Sequence, residues 1–159
     1  MANPIPSGYE GMIPYLIVPN SIEAMEVYSA AFDATCILRL PGPDGSSTMH
    51  AEMKIFNSVL MMTDENPAFC SNSPRTLGGT PMSIHIYVED VDSAFQKAID
   101  AGFTPIMPLM DAFWGDRFGK LQDPFGHQWS LASHKVDMTE EEVKAAGEAF
   151  MESMNSSED

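Results

Sequence analysis

The chain has 159 residues, 44% of them apolar, with a formal net charge of −15. That is enough apolar material for a packed core, which excludes wholesale disorder. The acidic balance disfavours nucleic acid and anionic membrane surfaces as partners, because it repels their phosphates.

Nearly half of the excess charge lies from Asp137 onward, where eight acids face Lys144 alone. Cys36 and Cys70 are far apart without CxxC spacing, so neither a zinc site nor a disulfide framework is signalled. No secretory signal and no apolar run of transmembrane length is recognisable, and a soluble, cytoplasmic protein is expected. Thirteen methionines read as adaptable core filler in preference to a ligand-moulding cavity.

Residues 1–11 are rich in proline and glycine and read as an arm or loop. Residues 12–18 form a short apolar run with β-branched character, a predicted strand. Pro19-Asn20-Ser21 breaks it and supplies an N-cap, with Ser21 the preferred capping residue. Ile22, Met25, Tyr28 and Phe32 then recur at helical spacing. Residues 35–40 are a second strand, and Pro41-Gly42-Pro43-Asp44-Gly45 is a strong turn. Residues 48–56 and 58–63 make a hairpin around Asn57. Residues 65–80, rich in Asn, Pro, Ser and Gly, read as a linker anchored by Phe69 and Leu77.

The pattern then restarts. Residues 82–88 are a strand, Glu89-Asp90 caps, and Val91, Phe95, Ala98 and Ile99 mark one face of a helix that Gly102 ends. Residues 103–108 are a strand, followed by a hairpin with arms 117–121 and 128–132. Its turn, Asp123-Pro124-Phe125-Gly126, has a mechanism. Asp bonds its own backbone, Pro presets φ, and Gly supplies φ > 0. Thr139 with Glu142 is a capping box that opens a last helix through about residue 153, and residues 155–159 are expected to fray.

The two halves form an internal repeat with an offset of about seventy residues. Val18 matches Val88, Asn20 matches Asp90, Ala24 matches Ala94, and Asn57-Ser58 matches Gly126-His127. Module one spans 12–64 and module two 81–134, with an acidic helix and tail over 137–159. Neither half can bury an apolar sheet face alone, so the copies should pack together or exchange with a second chain.

With the repeat in place, the chain resembles the vicinal oxygen chelate superfamily, the glyoxalase and bleomycin-resistance fold, and within it the PhnB-like branch. The resemblance is carried by Pro14-Tyr15-Leu16-Ile17-Val18, Leu40-Pro41-Gly42-Pro43-Asp44-Gly45, Met49-His50-Ala51-Glu52 and Leu77-Gly78-Gly79. Further pieces are His85-Ile86-Tyr87-Val88-Glu89-Asp90-Val91-Asp92 and the stretch from Gly115-Asp116-Arg117 through His134. It implies an α+β fold of paired βαβββ modules curled into cups, commonly homodimeric, with a small-molecule ligand or substrate in the cavity. The methyltransferase-type name often attached to this branch finds no support, because no glycine-rich cofactor loop follows a first strand.

The resemblance also carries over four metal-binding positions, which fall on Ile13, Met61, Ser83 and Ser130. Two apolar side chains and two hydroxyls cannot hold a divalent ion against water. No cofactor is therefore expected at the usual positions, which weakens lyase, isomerase or dioxygenase chemistry. Other polar groups lie close by. Ser83, His85 and Tyr87 share a strand face, as do His50 and Glu52, and Gln128 shares one with Ser130. Tyr15 is the repeat mate of His85.

One reading has His85, His50 and Glu52 gathering a shifted divalent metal or acting as an acid–base set. The simpler reading makes His50 and Glu52 a polar pair and His85 a hydrogen-bonded strand residue. Arg117 is either a clamp for an anionic ligand or a partner of Asp116, Asp123 or Glu52 that holds the hairpin. Trp114 and Phe113 are candidates for a cavity lid, whereas Trp129 alternates toward the core. His127 is expected at a strand edge. Three functions stay open: an enzyme using His85, Glu52 or Arg117; a protein sequestering an aromatic compound; and a dimeric scaffold without chemistry.

Overall fold

The computed structural model describes residues 2–156. Module one runs β1 (Tyr15–Val18), α1 (Ser21–Phe32), β2 (Thr35–Pro41), β3 (Thr48–Ile55) and β4 (Ser58–Asp64). After a short helix α2 (Pro74–Leu77), module two repeats the order as β5 (Ser83–Tyr87), α3 (Val91–Asp100), β6 (Thr104–Asp111), β7 (Asp116–Gln122) and β8 (Gln128–His134). A last helix α4 (Glu140–Asn155) follows. Each module is one four-stranded sheet, ordered β1-β4-β3-β2 and β5-β8-β7-β6. In each, the first strand runs parallel to the last and the other pairs are antiparallel. This is the mixed α+β pattern expected from the repeat.

Local chemistry sets most of the boundaries. Asn20, not Ser21, caps α1. In extended geometry its Oδ1 accepts from the amides of Ile22 and Glu23 at 3.0 and 3.2 Å. Ser21 is instead buried as the first helical residue, its amide donating to Asp64. The buried face of α1 is Ala24, Tyr28, Ala31 and Phe32, while Ile22 is exposed. Asp90 caps α3 and the Thr139–Glu142 capping box opens α4, as read from the sequence.

The linker differs from expectation. Phe69 and Leu77 are exposed, so they anchor nothing, whereas Ser73 and Pro74 are buried. Glu65 organises the segment by accepting from the Ser73 amide and the Thr76 hydroxyl. Of the tail expected to fray, residues 157–159 lie outside the described residues.

Both sheets turn one face toward the helices, and α1 packs against α3. Leu16, Val18, Ala51, Met53, Leu60 and Met62 line that face of the first sheet, and Leu121, Trp129 and Leu131 that of the second. Trp129 joins the two modules. Its fully buried indole packs on Tyr28 and Phe32 of α1 and on Phe103. Burying one side chain of this kind stabilises by roughly 1.5–3 kcal/mol.

The hairpin turn plugs into the same core. Asp123 Oδ1 accepts from the amides of Phe125 and His127, both at 2.9 Å, and Gly126 has φ 95°. Its Oδ2 accepts from Tyr28 Oη at 2.7 Å and Trp129 Nε1 at 2.9 Å. His127 is not at an open edge. It is buried, and Nε2 donates to the Ile17 carbonyl of module one at 2.9 Å.

The opposite faces of the sheets stay open. The outer strands β2 and β6 leave Ile37, Leu38, Leu40, Ile106, Met107 and Met110 exposed. Of the methionines, Met53 and Met62 are fully buried, but Met12, Met49, Met82, Met107, Met110, Met151 and Met154 are exposed. Core filling therefore accounts for a minority of them.

Candidate functional site

The two-residue strand period decides what faces the open side. In the first sheet Tyr15, Met61, Glu52 and Leu38 form one cross-strand row, with Ile17 opposite Thr63 and His50 opposite Leu40 beside it. Within these rows the polar groups connect. His50 Nε2 lies 3.0 Å from Glu52 Oε1, and since a carboxylate only accepts, Nε2 carries the proton. That leaves His50 Nδ1 to accept from Tyr15 Oη at 2.9 Å in the neutral ring. The other Glu52 oxygen accepts from the phenol of Tyr9, which reaches in from the segment before β1.

Glu52 is buried yet kept ionised. The hydrogen bonds from His50 and Tyr9 hold its carboxyl below the usual carboxylate range against the opposing effect of burial. Tyr15 goes the other way. Burial, and then the Glu52 charge, push its phenol up, so it is a neutral donor.

A cleft of about 680 Å³ opens beside this chain of groups. Tyr15, Ile17, Met49, Thr63 and Phe69 line it, with Asn66 and Ser71 from the linker at its rim. The linker thus walls the mouth of the first cup as well as joining the modules.

The open face of the second sheet carries Ser83, His85 and Tyr87 on β5 and Gln128 and Ser130 on β8. Ser83 lies opposite Gln128, and His85 opposite Ser130. His85 Nδ1 is hydrogen-bonded to the Ser130 hydroxyl at 2.7 Å, and its ring sits between Tyr87 and Phe118. Ser83 Oγ is buried and makes no hydrogen bond among the described residues.

A second buried carboxylate, Asp116, collects three donors: Tyr87 Oη at 2.7 Å, His134 Nδ1 at 2.8 Å and Trp114 Nε1 at 2.9 Å. Burial pushes Asp116 up, but these donors outweigh it and leave the carboxyl below its ordinary value. The other ring nitrogen of His134 meets Asp137 at 2.9 Å. Both nitrogens therefore face carboxylates, a setting that favours the imidazolium and raises its pKa, chiefly through Asp116.

Trp114 packs edge-on to Phe113 and Phe118, at the end of the second cup. A separate polar cleft of about 480 Å³ lies between α2 and the 123–126 turn, lined by Arg75, Thr104 and Gln122 among others. None of the candidate catalytic or ligand-binding residues lines it.

The candidates do not all converge. His50, Glu52 and Tyr15 meet on the first sheet, whereas His85, Ser83, Tyr87, Gln128 and Ser130 meet on the second. Arg117 faces neither cup. It pairs with Ser133 in register on the helix side and clamps Asp92 of α3 with Nε and Nη2, while Nη1 reaches Asp111 at 3.2 Å. The alternation of β7 puts it there, and its partners are neither Asp116, Asp123 nor Glu52.

The four metal positions carried over also do not fit an ion. Ile13 precedes β1, Met61 lies opposite Tyr15, Ser130 is engaged by His85, and Ser83 offers only a hydroxyl. Among the described residues no group of three or more His, Cys, Asp or Glu is arranged to hold a metal.

Two site residues escaped the sequence reading. Tyr9 sits in an arm with no periodicity, and its partner is 43 residues away. Asp116 looked like one charge in a charged stretch, and only its inward register on β7 marks it out.

The fold and the two open faces define a paired βαβββ cup protein. Residues 13–131 match the model of the Glyoxalase/Bleomycin resistance protein/Dioxygenase superfamily, and the chain belongs to that superfamily. An uncharacterized protein of Mycobacterium tuberculosis strain H37Rv is 43% identical over 136 residues, covering 84% of this chain and 79% of that one. Among solved structures, TioX from Micromonospora sp. ML1 is similar at 25% identity and a TM-score of 0.64, over 79% of this chain and 98% of that one. A PhnB protein from Bacillus cereus shares the fold at 22% identity and a TM-score of 0.61, over 78% of this chain and 99% of that one.

Proposed function

We propose that this protein binds a small aromatic or amphipathic molecule in the cup of its first module, without a divalent ion at the positions the superfamily commonly uses. The observation that carries this reading is the cleft of about 680 Å³ opening on Tyr15, a size suited to a small organic ligand. Its walls combine apolar side chains with the Tyr15 phenol, whose proton goes to His50 in front of the ionised Glu52, and with the carboxylates of Asp64 and Glu65. Such a site offers apolar contact and hydrogen-bond acceptors.

A second reading, an acid–base enzyme, is favoured by the directed chain from Tyr15 through His50 to Glu52, which can pass a proton away from the cleft. The raised Tyr15 pKa counts against Tyr15 as a ready base. The exposed apolar strands β2 and β6 support a homodimer, in which a second copy covers them.

A thermal-shift screen of aromatic and amphipathic compounds tests the binding reading. A ligand that binds the folded state must raise the melting temperature, and Tyr15→Ala should abolish the shift. Metal analysis of freshly purified protein by inductively coupled plasma should find no stoichiometric ion. One divalent ion per chain overturns the metal-free reading.

A further inference from the structure

The segment before β1 touches the body of the protein in an unusual way. Of residues 2–12, Tyr9 alone is less than exposed, and Met12 is 98% exposed. The other hydrogen bonds of these residues are local, from Tyr9 N to the Pro6 carbonyl, from Gly8 N to Glu10 and from Ile5 N to Asn3. The phenol of Tyr9 alone reaches out, to Glu52 on the open face of the first sheet. Gly8 and Gly11 flank it with φ of 88° and 87°, and a side chain at either would meet nothing within 4 Å. Both bends are exposed to solvent.

The seat itself is specific. Glu52 is buried, one of its oxygens is occupied by His50, and the second is aimed at a single incoming donor. Its cross-strand neighbours are Met61 and Leu38, and Tyr15 ends the row. A flat apolar ring bearing one hydroxyl satisfies these conditions, and Tyr9 is such a group on a tether.

From this geometry we infer that the first cup is a site for phenols, in which the ligand hydroxyl donates to Glu52, and that Tyr9 occupies this seat as a displaceable stand-in when no ligand is bound. The inference rests on the reading of the first cup as a small-molecule site and assigns the chemical class it takes. A tethered competitor lowers the apparent affinity by the fraction of seats left free, so an arm docked ~90% of the time weakens phenol binding about tenfold.

The test uses the full chain and its Tyr9→Ala and Tyr9→Phe variants, titrated with 4-methylphenol, toluene and benzylamine by amide NMR. We expect 4-methylphenol to bind Tyr9→Ala about tenfold more tightly than the original chain, with shifts at residues 50–52 and 61. Tyr9→Phe, which keeps the ring and loses the donor, should gain in the same direction. Adding Glu52→Gln to Tyr9→Ala should weaken 4-methylphenol at least tenfold, and toluene and benzylamine should not match it.

Equal 4-methylphenol affinity with and without Tyr9, or equal binding of toluene or benzylamine, overturns the inference. If 4-methylphenol fails while a thermal-shift ligand still binds beside Tyr15, the phenol seat falls and the binding role of the cup stands. If no compound binds either, both fall together.

Discussion

In the first cup the buried carboxylate of Glu52 is held by His50, from its own strand, and by Tyr9, from an arm with no other anchor. In the second cup the buried carboxylate of Asp116 is held by Tyr87, Trp114 and His134, all within module two. Both sites use a carboxylate, an imidazole and a phenol on an open sheet face. The difference is where the donors come from. Asp116 is saturated by groups the fold itself fixes, so it serves the hairpin and the start of the C-terminal segment. Glu52 keeps one acceptor for a donor that can leave. Composition alone does not separate these two polar clusters; the origin of the last donor does.

The largest effect that could break this contrast is on stability. Asp116→Ala leaves three donors without their acceptor and should lower the unfolding free energy by about 2–3 kcal/mol in urea denaturation, with ligand binding in the first cup unchanged. A neutral outcome would mean that the second cluster is not structural.

Glu52→Gln should show the reverse pattern. Ligand affinity in the first cup falls at least tenfold, while stability changes by about 1 kcal/mol or less. Equal loss of stability in both variants erases the distinction.

His85→Ala removes one hydrogen bond to Ser130 and a ring packed on Tyr87 and Phe118. It should cost about 1 kcal/mol of stability and leave first-cup affinity as it was. A clear drop in affinity would show instead that the second sheet reaches the ligand.

The smallest expected effect concerns pH. The pKa of His134 is raised by Asp116 and then by Asp137, so its pairing is fully present below the ordinary histidine value. It is lost as pH rises through the raised value. An NMR titration should place the His134 ring above an ordinary histidine, and Asp137→Asn should lower it partway. Amide protection over residues 134–137 should fall in the same pH window, and a flat profile there removes the tie.

Sequence alone determined the architecture. The two βαβββ halves, the Asp90 and Thr139 caps and the Asp123–Gly126 turn all follow from periodicity and short-range backbone chemistry, which act between residues a few positions apart. Face assignments were legible wherever strand alternation suffices, as for His50 with Glu52, His85 with Tyr87, and Trp129 in the core. The tertiary structure decided what those residues meet. It turned Arg117 toward Asp92, left Phe69 and Leu77 unburied, tied Asp123 to Tyr28 and Trp129, and laid Tyr9 on Glu52. Each of these depends on which segments fold back onto which, and no local pattern encodes a pairing across tens of residues. For that reason the superfamily could be read from the chain, whereas the division of labour between its two cups could not.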